Sequence, residues 1–257
     1  MPRHTASVQG SDPDAAASGH VQSVGRAFEL LEAIADHGGI MSLTQMAETC
    51  GLPLPTIHRL LRTLVDLGYL RQQPSREYAL GPRLIRLGES SGLLVGSWAR
   101  PYLASLVDEL GETANLAMLD GNQIVYVAQV PSRHAMRMFT EVGKRVPPHC
   151  TAVGKALLSS LPDEQVEAIL LHTGMEAHTD RTIVDHAILV EQLEEARRSG
   201  YTTDEGEKEI GVRCVAVPVL GAPGRIAMSV SGPAPRMSDS LVERAVPLLL
   251  STAKALA

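Results

Sequence analysis

Between Val21 and Leu80 the apolar residues fall into three short helical periods, each stopped by glycine, and the third runs into two strand-like segments. Val24, Ala27, Phe28, Leu31, Ile34 and Ala35 recur at helical spacing up to His37-Gly38-Gly39. Ser42 is placed to cap a second helix, in which Leu43, Met46 and Ala47 share a face and which stops at Cys50-Gly51. After Pro53 and Pro55 a third period sets in with Ile57, Leu60, Leu61, Leu64 and Leu67, ending at Gly68. Tyr69-Leu70-Arg71 and Tyr78-Ala79-Leu80 then read as a small β-hairpin. Short helices joined by a glycine turn and followed by a hairpin have the plan of a winged helix-turn-helix.

The polar face of the third helix tests that plan. If its apolar residues pack inward, Thr56, Arg59, Arg62 and Thr63 point outward, with His58 at the flank. Arginine offers paired donors to guanine, and threonine offers a hydroxyl and a methyl to bases or phosphates. Pro55 opens the helix, Arg71 and Arg76 fall on the hairpin, and Arg26 lies on the first helix, within reach of backbone phosphates. Charge restricts the contact to one surface. Val21–Leu80 carries five arginines (26, 59, 62, 71, 76) against Glu29, Glu32, Asp36, Glu48, Asp66 and Glu77. The whole chain, with 23 basic and 29 acidic residues, has a formal charge of −6, which excludes a uniformly basic nucleic-acid coat. Aromatics make up 3% of the residues, too few for a base-stacking platform of the single-strand binders.

Past Gly81 the pattern changes character. A helix with many small residues is expected over Arg83 to about Val95, and another from Arg100 to Leu110. Strand-like runs follow at Ala114–Leu119, Ile124–Val130 and Met136–Val142, the first two flanking the turn Asp120-Gly121-Asn122. Helices are expected from Ala152 to Leu161, near 163–172 and near 184–199. Strands follow at Arg213–Leu220 and Arg225–Ser231, and a closing helix runs from Asp239 to about Leu256. The fold class is α+β: a helical N-terminal module and a mixed antiparallel domain. The latter offers a polar constellation. Ser229 and Ser231 alternate across Val230 and share a strand face, Cys214 sits in an apolar strand, and Asp204 follows Tyr201-Thr202-Thr203. Cys150-Thr151-Ala152-Val153-Gly154 leads into a helix whose free N–H groups suit an anion. A hydroxyl pair with a helix N-terminus is a cradle for a carboxylate.

Several separated motifs resemble one family. VGRAFELLEAIADHGGIMSLTQMAETCGLPLPTIHRLLRTLVDLGYLRQ (24–72) looks like the DNA-binding domain of the IclR family of bacterial transcriptional regulators. The similarity continues through VPPHCTAVGKALL (146–158), LEEARRSGYTTDEGE (193–207), GVRCVAVPVL (211–220) and AMSVSGPAPR (227–236). The resemblance implies a winged helix-turn-helix over 20–81, a linker helix over 82–97 and a GAF-like effector-binding domain over 98–257. Residues 1–19, nearly free of large apolar groups, are expected to be a disordered tail. The resemblance further implies DNA contacts from Arg26, Pro55, Thr56, His58, Arg59, Arg62 and Arg76. The effector site it implies consists of Asp204, Cys214, Ser229 and Ser231, the backbone at Ala152-Val153, and apolar walls from Met138, Val146 and Val212. The family members most similar here respond to glyoxylate or pyruvate, which makes a small 2-oxo acid the expected effector. Those members tend to carry Gly-Ala where this chain has the bulkier Ala152-Val153. Members are dimers or dimers of dimers, so the expected DNA partner is a roughly palindromic duplex operator, with repression expected over activation.

Other classes fit less well. An enzyme acting on a carbonyl would need a base beside Cys214, and the pocket motifs supply only His149. The adjacent His149-Cys150 pair lacks the ligand spacing of a metal centre, so neither metal nor cofactor is expected. A winged domain that binds protein instead of DNA is the remaining alternative. The opening MPRHTASVQGSDPDAAASGH lacks the apolar segment of a secretory signal, and no apolar run reaches the ~18 residues of a membrane span. Three scattered cysteines (50, 150, 214) supply no disulfide framework. The expected setting is the cytoplasm, away from any membrane.

Overall fold

The computed structural model describes residues 21–95, 97–138, 140–222 and 224–257; the tail expected over 1–19 lies outside the described residues. The chain divides into two compact units, one ending at Glu89 and the other spanning Ser90–Ala257. The division falls inside the helix expected to link them.

The first unit runs α1 (Gln22–Asp36), β1 (Ile40–Met41), α2 (Leu43–Cys50), α3 (Leu54–Asp66), β2 (Leu70–Gln72), β3 (Tyr78–Leu80) and the start of α4 (Arg83–Val95). Ser42 caps α2 through a reciprocal pair. Its Oγ accepts from Gln45 N, and its own N–H donates to Gln45 Oε1 at 2.9 Å. Pro55 occupies the first turn of α3, where its missing N–H has no helical partner to lose. Leu30, Ile34, Met41, Met46, Ile57, Leu61 and Leu70 are fully buried between the helices and a three-stranded sheet of order β1-β3-β2. Each such side chain contributes about 1.5–3 kcal/mol of apolar burial. The hairpin exit passes so close to the end of α3 that a Cβ on Gly81 would lie 2.3 Å from Gly68 O. Only glycine fits there.

The second unit contains α5 (Arg100–Leu110), β4 (Thr113–Asp120), β5 (Gln123–Val130), β6 (Arg145–Val146), α6 (Ala152–Ser159), α7 (Asp163–Thr173), α8 (His186–Ser199), β7 (Thr202–Asp204), β8 (Val212–Val219), β9 (Ile226–Pro233) and α9 (Asp239–Leu256). Its strands form one antiparallel sheet of order β6-β5-β4-β9-β8-β7. Alternation assigns the two faces to two cores. Leu116, Val215, Val217, Met228 and Val230 pack with α5 and α9. Ala117, Ile124, Ala216 and Ala227 face the other way, among Ala156, Leu157, Ile169, Leu189 and Leu193 of α6, α7 and α8.

One expected strand is corrected. The described residues of Met136–Val142 form no strand, and the two-residue β6 pairs with β5 beyond them. Alternating Met136, Met138 and Thr140 mimicked a strand period, but Met136 is 74% exposed and no strand pairs with the segment. The segment is held instead by side chains: Thr113 Oγ1 donates to Met138 O at 3.2 Å, and Arg236 Nη2 donates to Met136 O at 2.8 Å.

Candidate functional site

On the first unit, α3 turns Ile57, Leu60, Leu61 and Leu64 inward, so His58, Arg59, Arg62 and Thr63 are exposed as expected and Thr56 is half-buried. His58, Arg59 and Arg62 line a cleft of about 480 Å³ together with Val65, Asp66, Gln72 and Tyr78, between α3 and the hairpin. Gln72 and Tyr78 were not expected there; the polar-apolar alternation of the wing was their only signal. Arg76 stands exposed near the hairpin tip with φ of 68°, the one non-glycine residue in left-handed backbone among the described residues. Arg71 is exposed on β2, Pro55 is exposed at the start of α3, and Arg26 is half-buried on α1. Cationic donors thus gather on one helix face and its wing.

On the second unit, strand register collects the polar residues on the sheet face that looks toward α6. Asp204 pairs with Cys214, Cys214 with Ser231 and Ser231 with Thr113 in one cross-strand row. The next row runs Thr202, Ala216, Ser229, Asn115, Gln129. Ser229 and Ser231 are 2% and 3% exposed, because β9 is a central strand. The N-terminus of α6 is bound to this face: Thr202 Oγ1 donates to Ala152 O at 2.7 Å, and Thr151 caps the helix by accepting from Gly154 N. Val146, Ala152 and Val153 are buried in the same cluster that Cys214 packs against. Val212 lies two residues before Cys214 on the same side of β8, and half-buried Met138 meets Thr113 through its carbonyl. The expected site residues therefore converge on one sheet face or its border. Asn115, Gln129, Thr113 and Tyr126 share that face without having been anticipated. Thr113 and Asn115 interrupt an otherwise apolar strand, and that interruption was the legible signal.

Asp204 Oδ1 accepts from Gly206 N at 3.0 Å and Glu207 N at 2.7 Å, folding the chain into a tight turn behind it. Burial nevertheless pushes its carboxyl up to about 6, with those two bonds and Lys155 acting in the opposite sense. Burial also raises the Tyr126 hydroxyl and the Cys214 thiol, with Asp204 adding to both, so each stays protonated at neutral pH. Beneath the turn, Lys155 Nζ of α6 donates to Glu207 Oε1 at 2.5 Å and to Gln192 Oε1 at 2.8 Å.

Among the described residues one group has the donors for a metal: His149, Cys150 and His178, whose ligand atoms lie within 4.8 Å of one another. His149 Nε2 is bonded to Glu176 O at 3.1 Å, and burial lowers the pKa of its ring while pushing the Cys150 thiol up to about 12. Lys208 Nζ stands 3.1 Å from His178 Nδ1, a positive charge that opposes a second cation. No metal is assigned to it.

The comparisons agree with this two-part layout. Residues 23–74 match the family described as the IclR helix-turn-helix domain, and residues 91–257 match Bacterial transcriptional regulator IclR C-terminal. Transcriptional repressor IclR of Escherichia coli K12 is 36% identical over 249 residues, covering 93% of this chain and 90% of that protein. Acetate operon repressor of Salmonella typhimurium is 36% identical over 246 residues, covering 92% and 89%. An IclR transcriptional regulator from Alicyclobacillus acidocaldarius superposes with a TM-score of 0.82 at 30% identity, over 92% of this chain and 98% of that one. The relatives and families are regulators, not enzymes.

Proposed function

The chain belongs to the IclR family of bacterial transcriptional regulators, and from that premise we propose that it is a cytoplasmic repressor whose hold on operator DNA is set by a small carboxylate, a 2-oxo acid by class. DNA binding follows from the family; the effector, its residues and the assembly are the proposal. Residues 20–81 would carry the winged module, 82–97 the linker and 98–257 the effector domain. Arg59 and Arg62 read base edges from α3 with Thr56 and His58, while Pro55, Arg26 and Arg76 set the backbone fit.

The observation that carries the effector reading is the buried pair Ser229 and Ser231 on the sheet face to which the N-terminus of α6 is tied. Buried hydroxyls opposite free helical N–H groups suit an anion with two acceptor oxygens. Protonated Cys214, Tyr126 and, below about pH 6, Asp204 add donors around an oxo group. The name of the acetate operon repressor, a relative, fits control by small acids.

Two copies of α3 are needed for selectivity, since one helix reads only a few base pairs; set ~34 Å apart they read a palindrome. An acid that binds one arrangement of the dimer better than another shifts their fit to DNA. The test is binding of the full chain to a labelled duplex from its own upstream region. Sequence-specific, steeply salt-dependent binding, weakened by glyoxylate or pyruvate, is expected. Ser229→Ala weakens the acid's effect by ~1–3 kcal/mol, because it leaves a carboxylate oxygen without its donor. Absence of specific binding at low ionic strength, with or without these acids, would reject the reading.

A further inference from the structure

Asn115 sits at the middle of the polar sheet face, 1% exposed, directly opposite Ser229 on one neighbouring strand and Gln129 on the other. Its Nδ2 donates to Ser231 Oγ at 3.0 Å and to Ser229 Oγ at 3.4 Å. Its Oδ1 accepts from Gln129 Nε2 at 3.0 Å, which fixes the amide from the far side. An amide nitrogen has two protons and no lone pair to give, whereas a serine hydroxyl has one proton and two lone pairs. Both Nδ2 protons are therefore committed to serine oxygens, and neither serine can return its own proton to Asn115. Among the described residues Ser229 donates to no side chain or carbonyl, and Ser231 also meets the Cys214 thiol.

We propose that Asn115 is the positioning residue that gives the serine pair its preference for an anion. By filling one lone pair on each hydroxyl from its own side, it biases their protons toward the ligand, Ser231's being shared with the Cys214 sulfur. The inference rests on the carboxylate reading above and deepens it. A carboxylate, which only accepts, is matched by two donors. A primary amide of the same shape presents one NH₂ group in place of an acceptor, and a serine can meet it only through its remaining lone pair, which leaves its own proton without a partner in the ligand.

The direction of this hydrogen-bond chain is set at Gln129 and passed on through Asn115, so two changes test it without touching the serines. Asn115→Leu keeps the branched shape with the same number of heavy atoms, removes the donor and adds no charge. Gln129→Glu, on a half-buried position, replaces a donor with an acceptor and turns the Asn115 amide over, so that its oxygen faces the serines. The readout is calorimetric affinity of the full chain for pyruvate and for pyruvamide at pH 7.5, with circular dichroism to confirm folding. The wild-type chain is expected to prefer pyruvate by tenfold or more. In Asn115→Leu the ratio falls toward one, because the freed serines turn either way, and in Gln129→Glu it inverts. A residue that only fills space would weaken both ligands equally and leave the ratio at its wild-type value. That result, in either folded variant, overturns the role of Asn115 while leaving the carboxylate site standing. A wild-type chain that binds neither ligand, or prefers the amide, overturns both.

Discussion

Asp204 shows how one side chain couples the candidate site to stability. Its ordinary pKa is 3.8 and in the fold it is about 6, so the folded chain holds this proton more tightly than the unfolded chain does. Below about pH 4 both states are protonated and the residue costs nothing. Between about pH 4 and 6 the unfolded chain releases its proton first, and stability declines; above 6 the full penalty is present, ~3 kcal/mol at most. Glu207 and Lys155 face the carboxyl from the turn and from α6, and Tyr126, Cys214 and Cys150 are the other titratable groups close to it. Asn at this position keeps an acceptor for Gly206 N and Glu207 N but sheds the buried charge. Urea unfolding of Asp204→Asn is expected to show a gain of ~1–3 kcal/mol at pH 8 and none at pH 4. An unchanged pH slope would mean that burial does not raise this carboxyl above its ordinary range. Asp204, Cys214, Ser229 and Ser231 were all legible in the sequence, by alternation and by family resemblance. Their environment was not. That Ser229 is buried follows from β9 lying between β4 and β8, and strand order is a long-range property that no local spacing encodes.

At the scale of elements, the segments with strong periodicity were the readable ones. Apolar residues three and four apart define α3, and burial of Ile57, Leu60, Leu61 and Leu64 dictates which arginines face solvent. Arg59→Ala is accordingly expected to lower specific DNA affinity and relax base preference by ~1–3 kcal/mol, measured by competition between operator and point-substituted duplexes. Uniform weakening on all sequences would make Arg59 a phosphate contact instead. What escaped were β1, β6 and β7, strands of two or three residues too short to show a period, and the spurious strand at Met136–Val142. Helix α6 gives a second test, because its glycine runs against the usual propensity. An exposed helical Gly→Ala change stabilises by roughly 0.5–1 kcal/mol. At Gly154 the added Cβ would lie 2.2 Å from Pro148 O, a backbone atom that cannot swing aside. Gly154→Ala should therefore destabilise by ~1–3 kcal/mol or more in thermal unfolding and loosen the N-terminus of α6 against the polar face. A stabilised variant would show that the segment 147–150 yields freely.

At the scale of the molecule, the pairing proposed above can be tested on an apolar surface of the first unit. Val24, Phe28, Leu31, Leu60, Leu64 and Leu87 line a groove of about 540 Å³ with α1, α3 and α4 as its walls. Phe28 is 59% exposed, and an apolar groove left open to water on a DNA-binding module fits burial against a partner. A second copy also answers the selectivity problem, since each half-site adds its own binding free energy. The two requirements can be separated by experiment. Phe28→Glu places a charge in the groove without removing anything from the unit's core, so unfolding stability should stay within ~0.5 kcal/mol of the parent. Arg59 of α3 also lines this groove, so the variant's affinity for an isolated half-site is measured alongside as the reference for the palindrome. Affinity for the full palindrome should fall tenfold or more toward the half-site value, with a rising monomer fraction in sedimentation equilibrium. Arg62, which lines the α3–hairpin cleft and not this groove, gives the contrast: Arg62→Ala weakens half-site and palindrome together and leaves association alone. Should Phe28→Glu bind the palindrome as tightly as the parent, the groove plays no part in pairing the recognition helices. The spacing of the half-sites would then have to be set elsewhere in the chain.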